Sequence, residues 1–196
     1  MTEDFHTYSL AEKDMFQITD VDDILRVFHE RGNRHYGEEV SELQHALQAA
    51  EFAGQFGEPE GVVLSCLLHD FGHMLHDLGE EIAGQGVDAR HEELGATLLE
   101  SHFPKEIVDP IRLHVAAKRY LCWQDPGYSE GLSPSSKLSL NLQGGPMSNL
   151  EATEFERLPH YQQAVRVRRY DDMAKVPEMQ TADLSHYRAL IAKYMR

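Results

Sequence analysis

Cys66-Leu67-Leu68-His69-Asp70-Phe71-Gly72-His73 is the stretch on which the fold turns. An apolar run ends there in a histidine next to an aspartate. Neighbouring residues on a helix point about 100° apart, so both face one polar cavity only if something small lies between them. A metal ion fits that place: the imidazole offers a nitrogen, and the carboxylate can chelate one ion or bridge two. Gly72 lets the backbone turn or approach a neighbour closely just after the pair. A His-Asp dipeptide alone says little. It gains weight from His45 before it and from His91, His114 and Asp171 after it.

Upstream, Glu60 to Leu68 is dense in Val, Leu and Cys, the pattern of a helix buried on most sides. Such a helix is a stiff mount for the pair at its end. His73 and His76 follow at steps of three, so either could look into the same cavity. From about 39 to 55 the spacing of Leu43, Leu47 and Ala50 predicts another helix, kept slim by Ala46, Ala49 and Ala53. His45 lies at the edge of that apolar stripe, where it either donates to a backbone carbonyl or serves as a ligand. Asp20 and the acids after it predict a helix start, with an apolar face through about His29 and an end at Gly32-Asn33.

Downstream, residues 77–88 are rich in glycine and acid and read as an exposed loop. A helix is predicted from about Ala89, with His91, Leu94, Gly95 and Leu98 on one face. After Phe103-Pro104, the residues Ile107, Ile111, His114 and Val115 form the next stripe. Lys118 lies four residues past His114 and shares its face. A lysine beside a metal is repelled unless an anion sits between them, so the pair hints at a negatively charged ligand. Residues 125–149 carry Pro, Gly and Ser breaks and read as a long connection over the mouth of a helical bundle, with a short helix within 133–142. Further helices are expected over 151–157, 160–170 and 184–194. Arg166, Arg168 and Arg169 make a basic cluster, read either as surface ion pairs or, through Arg168 on the face of Asp171, as part of the site.

The chain has 196 residues, 41% of them hydrophobic, enough for one sizeable core. The expectation is an all-α, single-domain bundle of about eight helices around a central dinuclear metal site. Residues 1–34 form an N-terminal extension and first helix, 35–175 the catalytic core, and 176–196 a C-terminal helix packed on the same domain. The net charge of −15 argues against a nucleic-acid partner. No apolar run approaches the ~20 residues that cross a bilayer, and no secretory signal is visible at Met1, so a cytoplasmic protein without a membrane partner is expected. The two cysteines, Cys66 and Cys122, read as buried thiols and not as a disulfide framework. No glycine-rich phosphate loop stands in a strand-to-helix context. A monomer or weak homo-oligomer is expected.

His45, His69-Asp70, His91, His114 and the late Asp171 together resemble the HD-domain superfamily, and within it the mixed-valence di-iron oxygenases. The segment from Gly37 to Ala50 and the tail Arg168-Arg169-Tyr170-Asp171-Asp172-Met173-Ala174-Lys175 resemble the branch that cleaves the carbon–phosphorus bond of 1-hydroxyphosphonates. The resemblance spans roughly residues 35 to 175. It implies two iron ions, Fe(II)/Fe(III) in the active state. One would be held by His45, His69, Asp70 and Asp171, the other by Asp70, His91 and His114, so that Asp70 bridges. It further implies that His73, Lys118 and Arg168 hold the phosphonate and that Glu38 meets a cationic end of the substrate. Tyr36 is implied as a gate over the oxygen-binding iron, displaced by one residue because His35 stands where the tyrosine is expected.

The function so implied is O₂-dependent oxidation at the carbon bearing both hydroxyl and phosphonate, with hydrogen abstraction from that carbon. The expected substrate is (R)-1-hydroxy-2-(trimethylammonio)ethylphosphonate, giving glycine betaine and phosphate. Glu38, with Glu39 or Glu42, would form a negative lobe for the amine. Tyr120, Trp123 and Tyr128, just past Lys118 in the chain, either line that lobe, where they would favour a quaternary nitrogen, or pack the cap of the bundle. Alternatives are 2-amino-1-hydroxyethylphosphonate, an inositol-type oxygenase, a metal-dependent phosphohydrolase on the same scaffold, and a regulatory HD domain without catalysis.

Overall fold

The computed structural model describes residues 17–35, 38–78 and 83–196. Nine α-helices and four short 3₁₀ turns appear among them, with no strand. Helix α1 spans Val21–Arg31, α2 Glu42–Gln55, α3 Glu60–Leu68, α4 His91–Leu99 and α5 Lys105–Gln124. They are followed by α6 over Pro134–Leu142, α7 over Asn149–Phe155, α8 over Tyr161–Met173 and α9 over Arg188–Tyr194.

Local chemistry sets the boundaries. The Asp20 side chain accepts from the Asp23 N–H and starts α1. Ser41 and Gln44 form a reciprocal capping box, which starts α2 at Glu42, three residues later than the apolar spacing suggests. Arg90 sits in the left-handed region (φ 48°), so α4 begins at His91 and not near Ala89. Ser133 caps α6 with Pro134 in its first turn, so the predicted connection over the mouth does hold a helix.

Helices α2, α3, α5 and α8 pack on one another to form the centre of the bundle, and α4 packs on α5 and on the 3₁₀ turn Phe71–Leu75. Leu64, Leu67, Leu68, Phe71, Ile107, Ile111 and Val167 are fully buried where these elements meet. A second cluster around Tyr120, Met147 and Phe155 closes the far end of α5 against α7. Helix α9 packs on α1 and α3. Cys66 and Cys122 are free, buried thiols, and no described helix is long and apolar enough to cross a membrane.

One close approach positions the functional groups. A Cβ built on Gly72 would lie 1.9 Å from the His91 carbonyl oxygen and 2.9 Å from the Gly95 N. Only glycine lets the turn after Asp70 lie this near the start of α4. The contact draws His91 in toward Asp70.

Candidate metal centre and anion pocket

Three of the four imidazoles are held by their outer nitrogens. His45 Nδ1–H donates to the Ala174 carbonyl (2.8 Å), His69 Nδ1–H to Cys66 (2.8 Å) and His114 Nδ1–H to Ile111 (2.7 Å). A carbonyl only accepts, so these bonds leave the three Nε2 atoms facing inward. His91 is held differently: its ring stacks on His73 (3.9 Å between centroids, 17° between planes), and its Nδ1 faces Glu92 at 3.8 Å.

The inward nitrogens converge in pairs, His45 with His69 at 3.1 Å and His91 with His114 at 3.2 Å. Asp70 stands between the pairs. Its Oδ1 lies 3.2 Å from His91 Nε2 and 3.3 Å from His114 Nε2. Its Oδ2 lies 3.3 Å from His69 Nε2 and 3.4 Å from His45 Nε2. Asp171 completes the first group, with Oδ1 3.3 Å from His45 Nε2. Two sets of donors result, each spaced to hold one ion: His45, His69 and Asp171, and Asp70, His91 and His114. Lone pairs and carboxylates crowded this closely require positive charge between them, from protons or from metal. The titration behaviour agrees. Burial opposes charge on His45, yet its bonds to Asp171 and Asp70 outweigh that and hold the ring up to about 10. His91 is likewise pushed up to about 8, burial being outweighed by Asp70. Burial raises the Asp70 carboxyl, and His69, His114 and His45 more than reverse it, to well below the usual range. The donor chemistry therefore fits metal.

His45, Asp70, His91, His114 and Asp171 open into one cavity, also lined by Glu38, Glu42, His73, Asp88, Lys118, Ser136, Ser139, Arg168 and Lys175, while His69 is fully buried. The basic groups gather on one side. Arg168, only 3% exposed, pairs with Asp171 at 2.6 Å, with Asp172, and with Ser136 Oγ at 3.2 Å. It belongs to the site, not to a surface cluster, whereas Arg166 pairs with Glu58 nearer the surface. Lys118, 2% exposed, donates to Ser139 Oγ at 2.7 Å, and no described carboxylate lies within 4.0 Å of it. Burial and the neighbouring Arg168 push its amine down to about 7.

Of the two readings of Tyr120, Trp123 and Tyr128, packing is the one found: none of them lines the cavity. Tyr120 donates to Glu156 and packs on Phe155, Trp123 donates to Asn149, and the Tyr128 hydroxyl bonds Asp172 behind Arg168. Tyr120 is two residues past Lys118, which on a helix is about 200° round, the opposite face. Glu38 does line the cavity, but its carboxylate is already taken by Lys175 Nζ (2.9 Å) and the Ser133 hydroxyl (2.6 Å). His73 lines the cavity as a neutral ring: burial and His91 hold it well below the usual histidine range, so it offers no charged contact. His76 is buried but does not line the cavity; its carbonyl takes Arg34 at 2.6 Å. Tyr36 lies outside the described residues. Ser136 and Ser139 carry no helical pattern that points to the site, and only the folded chain brings them there; Lys175 stands four residues past Asp171, a step that could have tied it to the site.

Comparison with known proteins agrees with this arrangement. The HD domain matches residues 43–142. The chain is 43% identical over 168 residues (85% of this chain, 86% of the other) to a protein of Leisingera caerulea named [1-hydroxy-2-(trimethylamino)ethyl]phosphonate dioxygenase (glycine-betaine-forming). It is 41% identical over 170 residues (85% and 84%) to the hydroxymethylphosphonate dioxygenase of Gimesia maris. An uncharacterised protein of Acanthamoeba polyphaga mimivirus is 34% identical over 198 residues (98% and 90%). With its two donor sets and its basic pocket in one helical bundle, the chain belongs to the HD-domain family, in the branch of the hydroxyphosphonate dioxygenases.

Proposed function

We propose that this protein is a dioxygenase that cleaves the carbon–phosphorus bond of a 1-hydroxyphosphonate. The substrate would be (R)-1-hydroxy-2-(trimethylammonio)ethylphosphonate, and the products glycine betaine and phosphate. The names of two relatives support the reaction class, and that of the Leisingera protein supports the substrate. The observation that carries the reading is Lys118: an ammonium buried beside the metal donors, with a hydroxyl but no described carboxylate for company. A buried charge without a partner is costly. A dianionic phosphonate in the cavity supplies the partner.

Both oxygen atoms of O₂ end in the products: R–CH(OH)–PO₃²⁻ and O₂ give R–COO⁻, HPO₄²⁻ and one proton. Two iron ions would be held by His45, His69, Asp70 and Asp171, and by Asp70, His91 and His114. When bound they supply the one-electron chemistry that O₂ needs. The protein's own groups bind and orient. Lys118 takes phosphonate oxygens, and Arg168, whose guanidinium is held by Asp171, Asp172 and Ser136, adds positive charge on that side of the cavity. Ser136 and Ser139 add hydroxyls, and His73 adds a neutral ring. With the phosphonate held on one side and the hydroxyl held by the metal, two substituents of the carbinol carbon would be fixed, the basis for selecting one enantiomer.

Phosphate release measured under O₂ tests the reading, with the trimethylated, primary-amine and unsubstituted hydroxymethyl substrates run side by side, together with the S enantiomer and with iron analysis. The expectation is O₂-dependent release with two irons per chain and a preference for the R trimethylated compound. If no hydroxyphosphonate releases phosphate, the function is wrong. Hydrolysis of a phosphoester without O₂ would move the protein to the phosphohydrolases.

A further inference from the structure

Two of the inward histidines are held by the turn of chain behind them. His69 and His114 each give Nδ1–H to the carbonyl three residues before, Cys66 and Ile111. His91 has no such support. It is the first residue of α4 and follows Arg90 in the left-handed region, so no turn of helix lies behind it to supply a carbonyl. Its Nε2 faces Asp70 and His114 and meets an ion only as a bare lone pair, which puts the ring proton on Nδ1. The group facing Nδ1 is the Glu92 carboxylate, 3.8 Å away. Glu92 is only 9% exposed, and its buried Oε2 has no hydrogen-bond partner among the described residues. It does not line the cavity and stands on the outer side of the ring, away from the metal donors. Glu93 shows how an acid that serves only the helix start is placed. It shares the first turn of α4, but its side chain is 42% exposed and pairs with Arg112 at 3.4 Å.

We propose that Glu92 is the positioning residue of His91: it accepts the Nδ1–H once an ion sits on Nε2, fixes the ring, and strengthens its nitrogen as a donor. This rests on the metal-centre reading above. The gap is longer than a hydrogen bond, and a small rotation of the Glu92 side chain closes it. An ion on Nε2 draws electrons from the ring and makes Nδ1–H a stronger donor, so the ion itself offsets the burial of the carboxylate. The carboxylate also evens out the two positions. The His45 group has a carboxylate of its own, Asp171, besides the share of Asp70 that faces it, whereas the His91 group has Asp70 alone. Charge behind His91 restores part of what that group lacks. The carbonyls behind His45, His69 and His114 are neutral and cannot.

The test is an anaerobic Fe(II) titration of the full chain as wild type, Glu92→Ala, Glu92→Gln and the control Glu93→Gln. Mössbauer spectra tell the two positions apart, with His91→Ala marking one of them. In Glu92→Ala the affinity at Asp70, His91 and His114 should fall about 10-fold or more, while the other position keeps its wild-type affinity. Glutamine keeps the shape and an acceptor but not the charge, so Glu92→Gln should lose less affinity. In both variants the reduction potential of that ion should rise, because the ferric form loses the charge behind its ligand. Glu93→Gln should match the wild type. Equal loss at both positions, or the same loss in Glu93→Gln, would make Glu92 a structural acid only and overturn the proposal. So would wild-type affinity and potential in Glu92→Ala. A wild type that binds no metal would instead overturn the metal centre itself, and this role with it.

Discussion

Gly72 lies against the main-chain carbonyl of His91 so closely that a Cβ on it would stand 1.9 Å from the oxygen. This contact joins the turn that carries Asp70 to the helix that begins with His91. Gly72→Ala must push the two apart. The expected results are a loss of roughly 1–3 kcal/mol in stability and weaker metal retention at Asp70, His91 and His114 than at His45, His69 and Asp171. Denaturant unfolding with metal analysis measures both. Wild-type stability and metal content would mean that the contact relaxes at no cost.

Asp70 points one oxygen at each pair of histidines. Asp70→Ala should therefore uncouple the two ions, while His91→Ala or His114→Ala should chiefly empty one position. Electron paramagnetic resonance of partly reduced protein reads the coupling. A coupled signal surviving in Asp70→Ala would rule out the bridge.

Lys118 has a folded pKa of about 7 against an ordinary 10.5. Between these values the unfolded chain holds the extra proton, so this group's contribution to stability rises with pH through that window and is least below about 7. Lys118→Met should stabilise the metal-free protein at neutral pH by roughly 1–4 kcal/mol while abolishing phosphonate affinity. In the wild type, kcat/KM should fall above about pH 7 as the amine loses its proton, and Lys118→Arg should move that limb to higher pH. A flat profile from pH 6 to 9 would count against the contact.

Arg168 touches Asp171, Asp172, Ser136 and the Tyr128 hydroxyl with one guanidinium. Lysine cannot reproduce that fork. Arg168→Lys should lower kcat/KM by roughly 100-fold, the effect of removing the forked, charge-assisted bonds, and should loosen Asp171. Retention of more than a third of wild-type kcat/KM would reject this role.

The helices were legible because their apolar spacing is regular, and Lys118 was tied to His114 by a step of four. Boundaries set by a single φ or cap, at Arg90 and Ser41, leave no trace in hydrophobic period. Nearness along the chain could not decide between lining and packing for the rings after Lys118: Trp123 and Tyr128 attach elsewhere. The charge balance of Glu38 could not be read at all, because its partner Lys175 lies 137 residues away.

The Ala174 carbonyl that fixes the His45 ring belongs to a short strap. Val176 fastens it to Gln48 by two hydrogen bonds, N–H to Oε1 at 3.0 Å and Nε2–H to the carbonyl at 2.9 Å. The His45 group is therefore completed only by the C-terminal part of the chain. Once residue 114 has left the ribosome, Asp70, His91 and His114 are all present, but the His45 group still waits for Asp171 and for its latch. A chain stopped before Asp171 should take up no more than one equivalent of metal, so that the second ion marks the arrival of the C-terminal segment.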